Sequence, residues 1–551
     1  MNCTAGVRAG VVPVATLLVA FAMGSLRIVS AARSSDGASR CQGLAAAHLT
    51  NTTITTAEAV RDGSFTPPGA TAAITGLPAF CRVAGEIHPT SDSHIGFEVW
   101  LPMEGWNKKV AAAGNAGWAG RIPYDYTGTA AGPLIRNAKV PFGFTLSDQL
   151  KRGYATAATD TGHRLGDGGD NFVAFAVGHP ERLVDFGYRA VHETAVIAKA
   201  LVVKFYGRAP QHAYWVGQST GGEQGLKEAE RFPDDYDGMV VGTPSPDPTW
   251  TDVRIVQTTI ALVNSSLDAT HRSLLHNAVV AACDADDGVL DSLISDPPRC
   301  GFDPGSLECR AGTTDTQSCL TPVQVAAVRR VYDGLRDPNT GQLLAAGPAK
   351  GSELLWGQSF PQDGLRLPTL SYMRSVVFQN PTWDWRTFDF GRASDHDVVM
   401  ERERVIRSIL NADNPDLRTF KRRGGKILHF NGWTDQFVRE SPAYYDSVVR
   451  TVGGSKDVQT ALRQVQGFYR LFMVPGMIHG LGNGYGPATF DLLTALEDWV
   501  ERGKAPDLLE ATEFDDKASP VRSRPLCSYP SVARYRGSGD VNQAASFSCR
   551  E

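Results

Sequence analysis

A chain of 551 residues can hold two to four average domains, or one large catalytic domain that carries an insertion. Its 42 % hydrophobic and 21 % charged residues are ordinary for a globular protein. A net charge of −5 and a pI of about 6.2, with no Lys/Arg run, exclude a basic field for nucleic acid.

In chain order, Arg8 precedes the apolar stretch VVPVATLLVAFAMG (11–24), and the small residues VSAA (29–32) follow. The stretch is too short and too interrupted for a stable membrane span, so residues 1–31 read as a secretory signal peptide cut after Ala31 or Ala32. An uncleaved anchor is the alternative. Cleavage removes Arg8 and Arg27, takes the formal charge to −7, and leaves a secreted or periplasmic protein with no membrane partner. Nine cysteines agree with export: Cys3 lies in the signal, and Cys41, Cys81, Cys283, Cys300, Cys309, Cys319, Cys527 and Cys549 remain. Eight cysteines in an oxidising compartment suggest four disulfides, with 105 possible connectivities. No CxxC or HxxxH spacing accompanies them, which argues against a cysteine-based zinc site.

IGFEVWLP (95–102) alternates as a strand does, and KKVAAAGNAGWAG (108–120) is a strand running into a glycine-rich loop. GYATAATDTGH (153–163) reads as a buried strand with a polar exit. VDFGYRAVHETAVIAKALVVKFYG (184–207) is helical text closed by Gly207 and Pro210. AYWVGQSTGGEQG (213–225) runs from a strand through Ser219 into a helix that ends before Pro233, and GMVVGTPSP (238–246) is a further strand. This alternation argues for a parallel sheet covered on both faces. From 247 to 404 the rhythm breaks into helical fragments, cysteines, turns and aromatics. It resumes with GGKILHFNGWTDQF (424–437), FYRLFMVPGMIHG (468–480) and the helix FDLLTALEDWVERG (490–503). The expected organisation is one α/β domain in two parts, 32–246 and 405–551, interrupted by a lid domain over 247–404 and closed by a C-terminal tail.

Gly217-Gln218-Ser219-Thr220-Gly221 has the G-x-S-x-G form of a nucleophile elbow, although an ordinary strand-to-helix turn also uses such glycines. A serine hydroxyl needs a base and a group to orient it. Asp435 and His479 each follow a strand, in the chain order serine, acid, histidine of α/β-hydrolases. Asp413 and Asp446 follow no strand, and His163, at a strand exit, precedes the serine. The amide after the nucleophile, Thr220, and the glycine loop at Gly117 are the expected oxyanion donors. In the insertion, CDADDGVLDS (283–292) sets Asp284, Asp287 and Asp291 around Gly288. Such spacing suits a hard cation such as calcium but is not an EF-hand, and an acidic solvated turn explains the same text.

Together GNAGWAG, the DTGH exit, GQSTGGEQG, CDADDGVLD, NPTWDWRTFDF (380–390), NGWTD, RLFMVPGMIHG and GPATFD…WVERGKAPD resemble the tannase and feruloyl esterase family of secreted serine hydrolases, from about Cys41 to Cys549. The resemblance implies an α/β-hydrolase core with a large inserted lid, and esterase activity on esters of aromatic acids without an organic cofactor. It implies Ser219, Asp435 and His479 as the triad and Gly117 and Thr220 as oxyanion donors. It also implies structural calcium on the side chains of Asp284, Asp287 and Asp291 and the carbonyls of Val289 and Leu293. The implied disulfides are Cys41–Cys81, Cys283–Cys300, Cys309–Cys319 and Cys527–Cys549. One departure stands out. The family's usual cysteine pair beside the catalytic serine and histidine is replaced by Gln218 and Gly480.

The lid is expected to supply an aromatic pocket from Trp356, Phe378, Trp383 and Trp385, with Arg374 meeting a substrate carboxylate; lid core and a plain surface arginine are the competing readings. The partner is then a small aromatic ester, and the protein a monomer or weak homo-oligomer. Two rivals remain open. One is an acyltransferase on the same scaffold, separable by a competing alcohol. The other is a non-catalytic binding protein, which would ordinarily have lost a triad member.

Overall fold

A computed structural model describes residues 37–125, 143–167, 172–361, 363–435, 440–482, 484–515 and 517–551. The expected signal segment, residues 1–31, lies outside the described residues. Nine strands form one sheet: β1 (Thr52–Val60), β2 (Phe80–Ile87), β3 (Ile95–Pro102), β4 (Lys109–Ala113), β5 (Ala155–Thr159), β6 (His212–Gln218), β7 (Gly238–Gly242), β8 (Lys426–Gly432) and β9 (Tyr469–Val474). Their order across the sheet is β1-β2-β3-β5-β4-β6-β7-β8-β9. The pairs β1/β2, β2/β3 and β3/β5 are antiparallel, and every later pair is parallel.

The parallel strands read as near-continuous apolar runs because both faces are covered: all five residues of β5 and of β7 are buried. The edge strand β1 instead alternates half-buried and exposed positions. Successive side chains point to opposite faces of a strand, and the cores divide accordingly. Ala112, Trp215, Val241 and Ile427 enter one core with Leu226 and Tyr445. Their chain neighbours Ala111, Tyr214, Val240 and Leu428 enter the other, with Leu493, Leu496 and Trp499. The expected helix over 184–207 is present with a local irregularity: Pro180–Val184 and α1 (Ala190–Tyr206) are joined by a π-turn at Asp185–Arg189, and Gly207 closes α1 at φ 71°.

Strands β7 and β8 are paired neighbours, Gly238 opposite Lys426, so the chain leaves the sheet after Gly242 and returns beside the same strand. The intervening residues build most of a further core, from Val253, Leu275, Val328, Trp356, Met373 and Val399 among others, which Ala119, Val173, Phe175 and Phe186 also enter. The last helix of this insertion, Ala393–Leu410, runs through the expected boundary at 404, because one amphipathic helix continues across it. Disulfides join Cys41–Cys81, Cys283–Cys300, Cys309–Cys319 and Cys527–Cys549, with Cα–Cα distances of 5.0–5.6 Å. These are the pairings that the resemblance implied. Among the described residues, no helix is long and apolar enough to cross a membrane.

Candidate active site

Parallel strands bring their carboxyl ends to one edge of the sheet, and the three expected site residues leave β6, β8 and β9 there. Ser219 directly follows β6 and precedes α2 (Thr220–Arg231), with φ 58° and ψ −128°. Such a backbone costs a non-glycine residue roughly 1–3 kcal/mol, so its surroundings must enforce it. They do so by close approach. A Cβ on Gly217 would lie 2.2 Å from Gly221 O, and one on Gly222 would lie 2.3 Å from Gly242 O. The Ser219 N–H donates to Gly242 O at 2.8 Å, while Ser219 O accepts from Gly222 N–H and Glu223 N–H at 2.8 and 3.1 Å. The flanking glycines therefore serve chain contact, and the elbow presents Ser219 Oγ outward.

His479 Nε2 lies 2.9 Å from Ser219 Oγ, and its Nδ1 lies 2.8 Å from Asp435 Oδ2. Asp435 is fully buried and the His479 side chain is 20 % exposed. With Nδ1–H donated to the carboxylate, the Nε2 lone pair faces the hydroxyl, which is the tautomer a general base requires. The acid and histidine turns are locked together as well. Thr434 Oγ1–H donates to Met477 O at 2.7 Å, and a Cβ on Gly432 would lie 2.1 Å from that same oxygen.

Where the family usually places a cysteine bridge, a hydrogen bond stands instead. Gln218 Oε1 accepts from the Leu481 N–H at 3.3 Å, tying the serine turn to the histidine turn. Leu481 is 1 % exposed, so losing this acceptor leaves a buried amide unsatisfied. Gln218→Ala is expected to cost about 1–3 kcal/mol of stability, read as a lower denaturation midpoint in urea. An unchanged midpoint would show that this bond does not hold the two turns together.

The glycine loop after β4 meets the elbow directly. The Cβ of any residue replacing Gly114 would sit 2.8 Å from the Cα atoms of Gly217 and Gly221. Asn115 and Gln224, both buried, exchange two hydrogen bonds: Asn115 N–H to Gln224 Oε1 at 3.0 Å and Gln224 Nε2–H to Asn115 Oδ1 at 3.1 Å. Asn115 Nδ2–H donates to Thr159 O at 2.8 Å, and Asn115 O accepts from Gly221 N–H at 2.8 Å. Thr220 is the first residue of α2, so its N–H is one that the helix cannot satisfy. Its hydroxyl donates to Gly117 O at 2.5 Å, so the two expected oxyanion residues are in direct contact. His163, the rival histidine, is placed elsewhere. It stacks on Phe175 with centroids 3.6 Å apart, and its Nε2 lies 2.8 Å from Trp118 O. Burial pulls its pKa below the usual imidazole range, which keeps it a neutral support of the glycine loop.

Sequence reasoning missed Asn115, Gln224 and the Gln218 bond, since each is a contact between segments far apart in the chain. It also missed Trp118, which stacks on Phe186 and Tyr372 at 5.1 Å each and carries an aromatic surface to the site loop. The aromatics that were expected to line the pocket pack differently. Trp356, Trp383 and Trp385 are buried in the core of the insertion, and Phe378 stacks on Trp383 at 4.8 Å. Arg374 Nε–H donates to Trp383 O at 2.9 Å, so this pair holds its own loop together.

In the acidic loop, Asp284 accepts from the N–H groups of Asp291, Ser292 and Leu293. Asp287 accepts from Val289 N–H and Ser295 Oγ–H. Asp291 Oδ2 meets Arg524 at 2.5 Å and Arg522 at 3.2 Å. Among the described residues, the groups of three or more ligand side chains with ligand atoms within 4.8 Å of one another do not include this trio. The donor chemistry, oxygen only and with Asp284 and Asp287 buried, fits a hard cation.

The tannase and feruloyl esterase family matches residues 81–550, which is nearly the whole described chain. The chain belongs to the tannase and feruloyl esterase family. It is 35 % identical to an uncharacterised esterase of Xanthomonas campestris pv. campestris, over 94 % of this chain and 92 % of that one. It is 31 % identical to the mono(2-hydroxyethyl) terephthalate hydrolase of Piscinibacter sakaiensis, over 87 % and 86 %. Among solved structures, feruloyl esterase B from Aspergillus oryzae superposes with a TM-score of 0.79 at 28 % identity, covering 93 % of this chain and 100 % of that one. The fold of this family member is thus the α/β-hydrolase fold, and the protein is a carboxylic ester hydrolase acting on a small-molecule ester.

Proposed function

We propose that this family member is an exported serine esterase that cleaves esters of aromatic carboxylic acids through an acyl-enzyme. The observation that carries the reading is the contact chain Ser219–His479–Asp435, at 2.9 and 2.8 Å. His479 Nε2 takes the Ser219 proton as Oγ attacks the ester carbonyl. The oxyanion is assigned to the amides of Thr220 and Gly117, two residues joined by the bond from the Thr220 hydroxyl to Gly117 O. His479 then gives the proton to the leaving alcohol, and water repeats the cycle to release the acid. Asp435 holds the imidazole in the required tautomer and stabilises its charged form.

The aromatic preference is supported by the named activities of the relatives and by the Trp118–Tyr372–Phe186 stack on the site loop. Export is supported by four disulfides together with the N-terminal text. A panel of galloyl, feruloyl, chlorogenate and terephthalate monoesters, compared by kcat/KM, tests the substrate class. Preference for short aliphatic esters over all of them would refute it. Adding a competing alcohol separates hydrolysis from acyl transfer, the reading that uses the same groups.

The acidic loop is proposed as a structural calcium site, with Asp284, Asp287 and Asp291 as side-chain ligands and Val289 and Leu293 as carbonyl ligands. A ligand that binds only the folded protein stabilises it by about 2.7 kcal/mol at one hundred times its Kd. Chelation should lower the melting temperature, calcium should restore it, and Asp287→Ala should remove the response. A melting curve indifferent to chelator and calcium would contradict the site.

A further inference from the structure

We propose that Glu86, His88 and His94 form a second, separate cation site, selective for a zinc-class divalent ion. The three residues meet at the turn that joins β2 to β3, where Ile87 pairs with Ile95. Their ligand atoms all lie within 4.8 Å of one another. Two imidazoles and one carboxylate are borderline ligands that suit zinc, whereas calcium and magnesium prefer oxygen alone.

The orientation of His88 points to an ion. Its Nδ1 lies 3.0 Å from the Ser93 carbonyl oxygen, which can only accept, so Nδ1 carries the proton and donates. Its Nε2 faces Glu86 Oε2 at 3.5 Å. This separation is long for a hydrogen bond. It matches the spacing of about 3.3 Å expected for two ligands that share a tetrahedral ion at about 2.0–2.1 Å from each. The His94 ring stands at 84° to that of His88, with centroids 5.1 Å apart. A hydrogen bond that fixes the far nitrogen of a histidine is the usual outer support of a metal ligand.

That support is itself built in. Ser93 is fully buried, and its hydroxyl lies 3.2 Å from Asp185 Oδ1, 3.1 Å from Arg189 Nη2 and 2.8 Å from Thr90 Oγ1. The Ser93 carbonyl is thereby held where His88 needs it. The other Glu86 oxygen is approached by Arg164 at 3.4 Å, but that arginine is 78 % exposed and leaves Oε2 to the histidines. His94 is exposed, so an ion enters without unfolding the turn, and a three-ligand site keeps a fourth position for water. The site sits on the same sheet edge as the elbow. Gly96, next to the turn, donates its N–H to Asp160 Oδ1 at 2.9 Å, and Asp160 O accepts from Gly120 N–H of the glycine loop at 2.9 Å.

The test is calorimetric titration of the tag-free, calcium-saturated full chain with zinc chloride, with magnesium chloride as the hard-ion control. We expect one zinc per chain, no magnesium at this site, and a melting temperature raised by zinc. Glu86→Gln, His88→Ala and His94→Ala should each weaken zinc binding by at least about tenfold, because even an outer support of a ligand is worth that much. His94→Ala alters only an exposed side chain, so its zinc-free melting curve should match the parent and show that the fold is intact. Absence of zinc binding would overturn the proposal. So would binding that survives in His88→Ala/His94→Ala, above all if His192→Ala then removes it, since that would move the ion to the His192–Glu228–Asp235 group.

Discussion

Ser219→Ala and His479→Ala each lower ester turnover by about 10⁴–10⁶-fold, and the double variant falls little further, because the two groups act as one unit. Without Oγ no acyl-enzyme forms; without the imidazole the hydroxyl stays protonated at the moment of attack. What remains in either variant is substrate binding beside the Thr220 and Gly117 amides. The two variants should differ in stability. Alanine keeps the Ser219 backbone at its φ of 58° and removes one partly exposed hydroxyl, so the melting temperature should hold. Removing His479 takes a hydrogen-bond donor from the fully buried Asp435 carboxylate, so that variant should also melt earlier. Steady-state kinetics beside thermal melts decide both points. Near-parental turnover in Ser219→Ala would end the assignment.

Asp435→Asn is expected to cost about 10⁴-fold in kcat with the fold retained. The side chain is the same size, but its amide can offer an N–H where the carboxylate offered a lone pair. If that N–H faces His479 Nδ1, the ring is turned to the tautomer with its proton on Nε2, aimed at Ser219. The base then presents a proton where it should receive one. The imidazolium formed during attack also loses its buried counter-charge, which sits 2.8 Å away in the parent. The effect should appear in kcat more than in KM, since Asp435 does not face substrate. A loss of only a few-fold would mean that another group orients the ring.

Some of this was legible in sequence for a physical reason. Strands covered on both faces are largely apolar or small, so the runs at 155–159, 212–218 and 238–242 stand out, and the residues that follow such strands share one edge of the sheet. That rule locates Ser219, Asp435 and His479 from sequence, because it needs only strand order and strand ends. Contacts between distant segments obey no such rule. Gln218 was noted as a lost cysteine, yet its bond to Leu481 joins residues 263 apart in the chain. The Asn115–Gln224 exchange was hidden for the same reason. Hydrophobic text also does not distinguish a core from a pocket wall, so Trp356, Trp383 and Trp385 were offered to substrate although the insertion buries them. The Glu86, His88 and His94 trio lies within one turn of nine residues, but its spacing matches no familiar metal motif, and only the fold of the turn brings the three side chains together.

Covalent trapping of the nucleophile distinguishes Ser219 from every other serine. The protein is incubated with a fluorophosphonate, digested, and sequenced by mass spectrometry while residual esterase activity is followed. One adduct per chain is expected, on Ser219 in the 213–225 region, appearing in step with loss of turnover and absent from Ser219→Ala. Turnover that persists in fully labelled protein, or that disappears while Ser219 stays unmodified and another residue carries the adduct, would contradict Ser219 as the nucleophile.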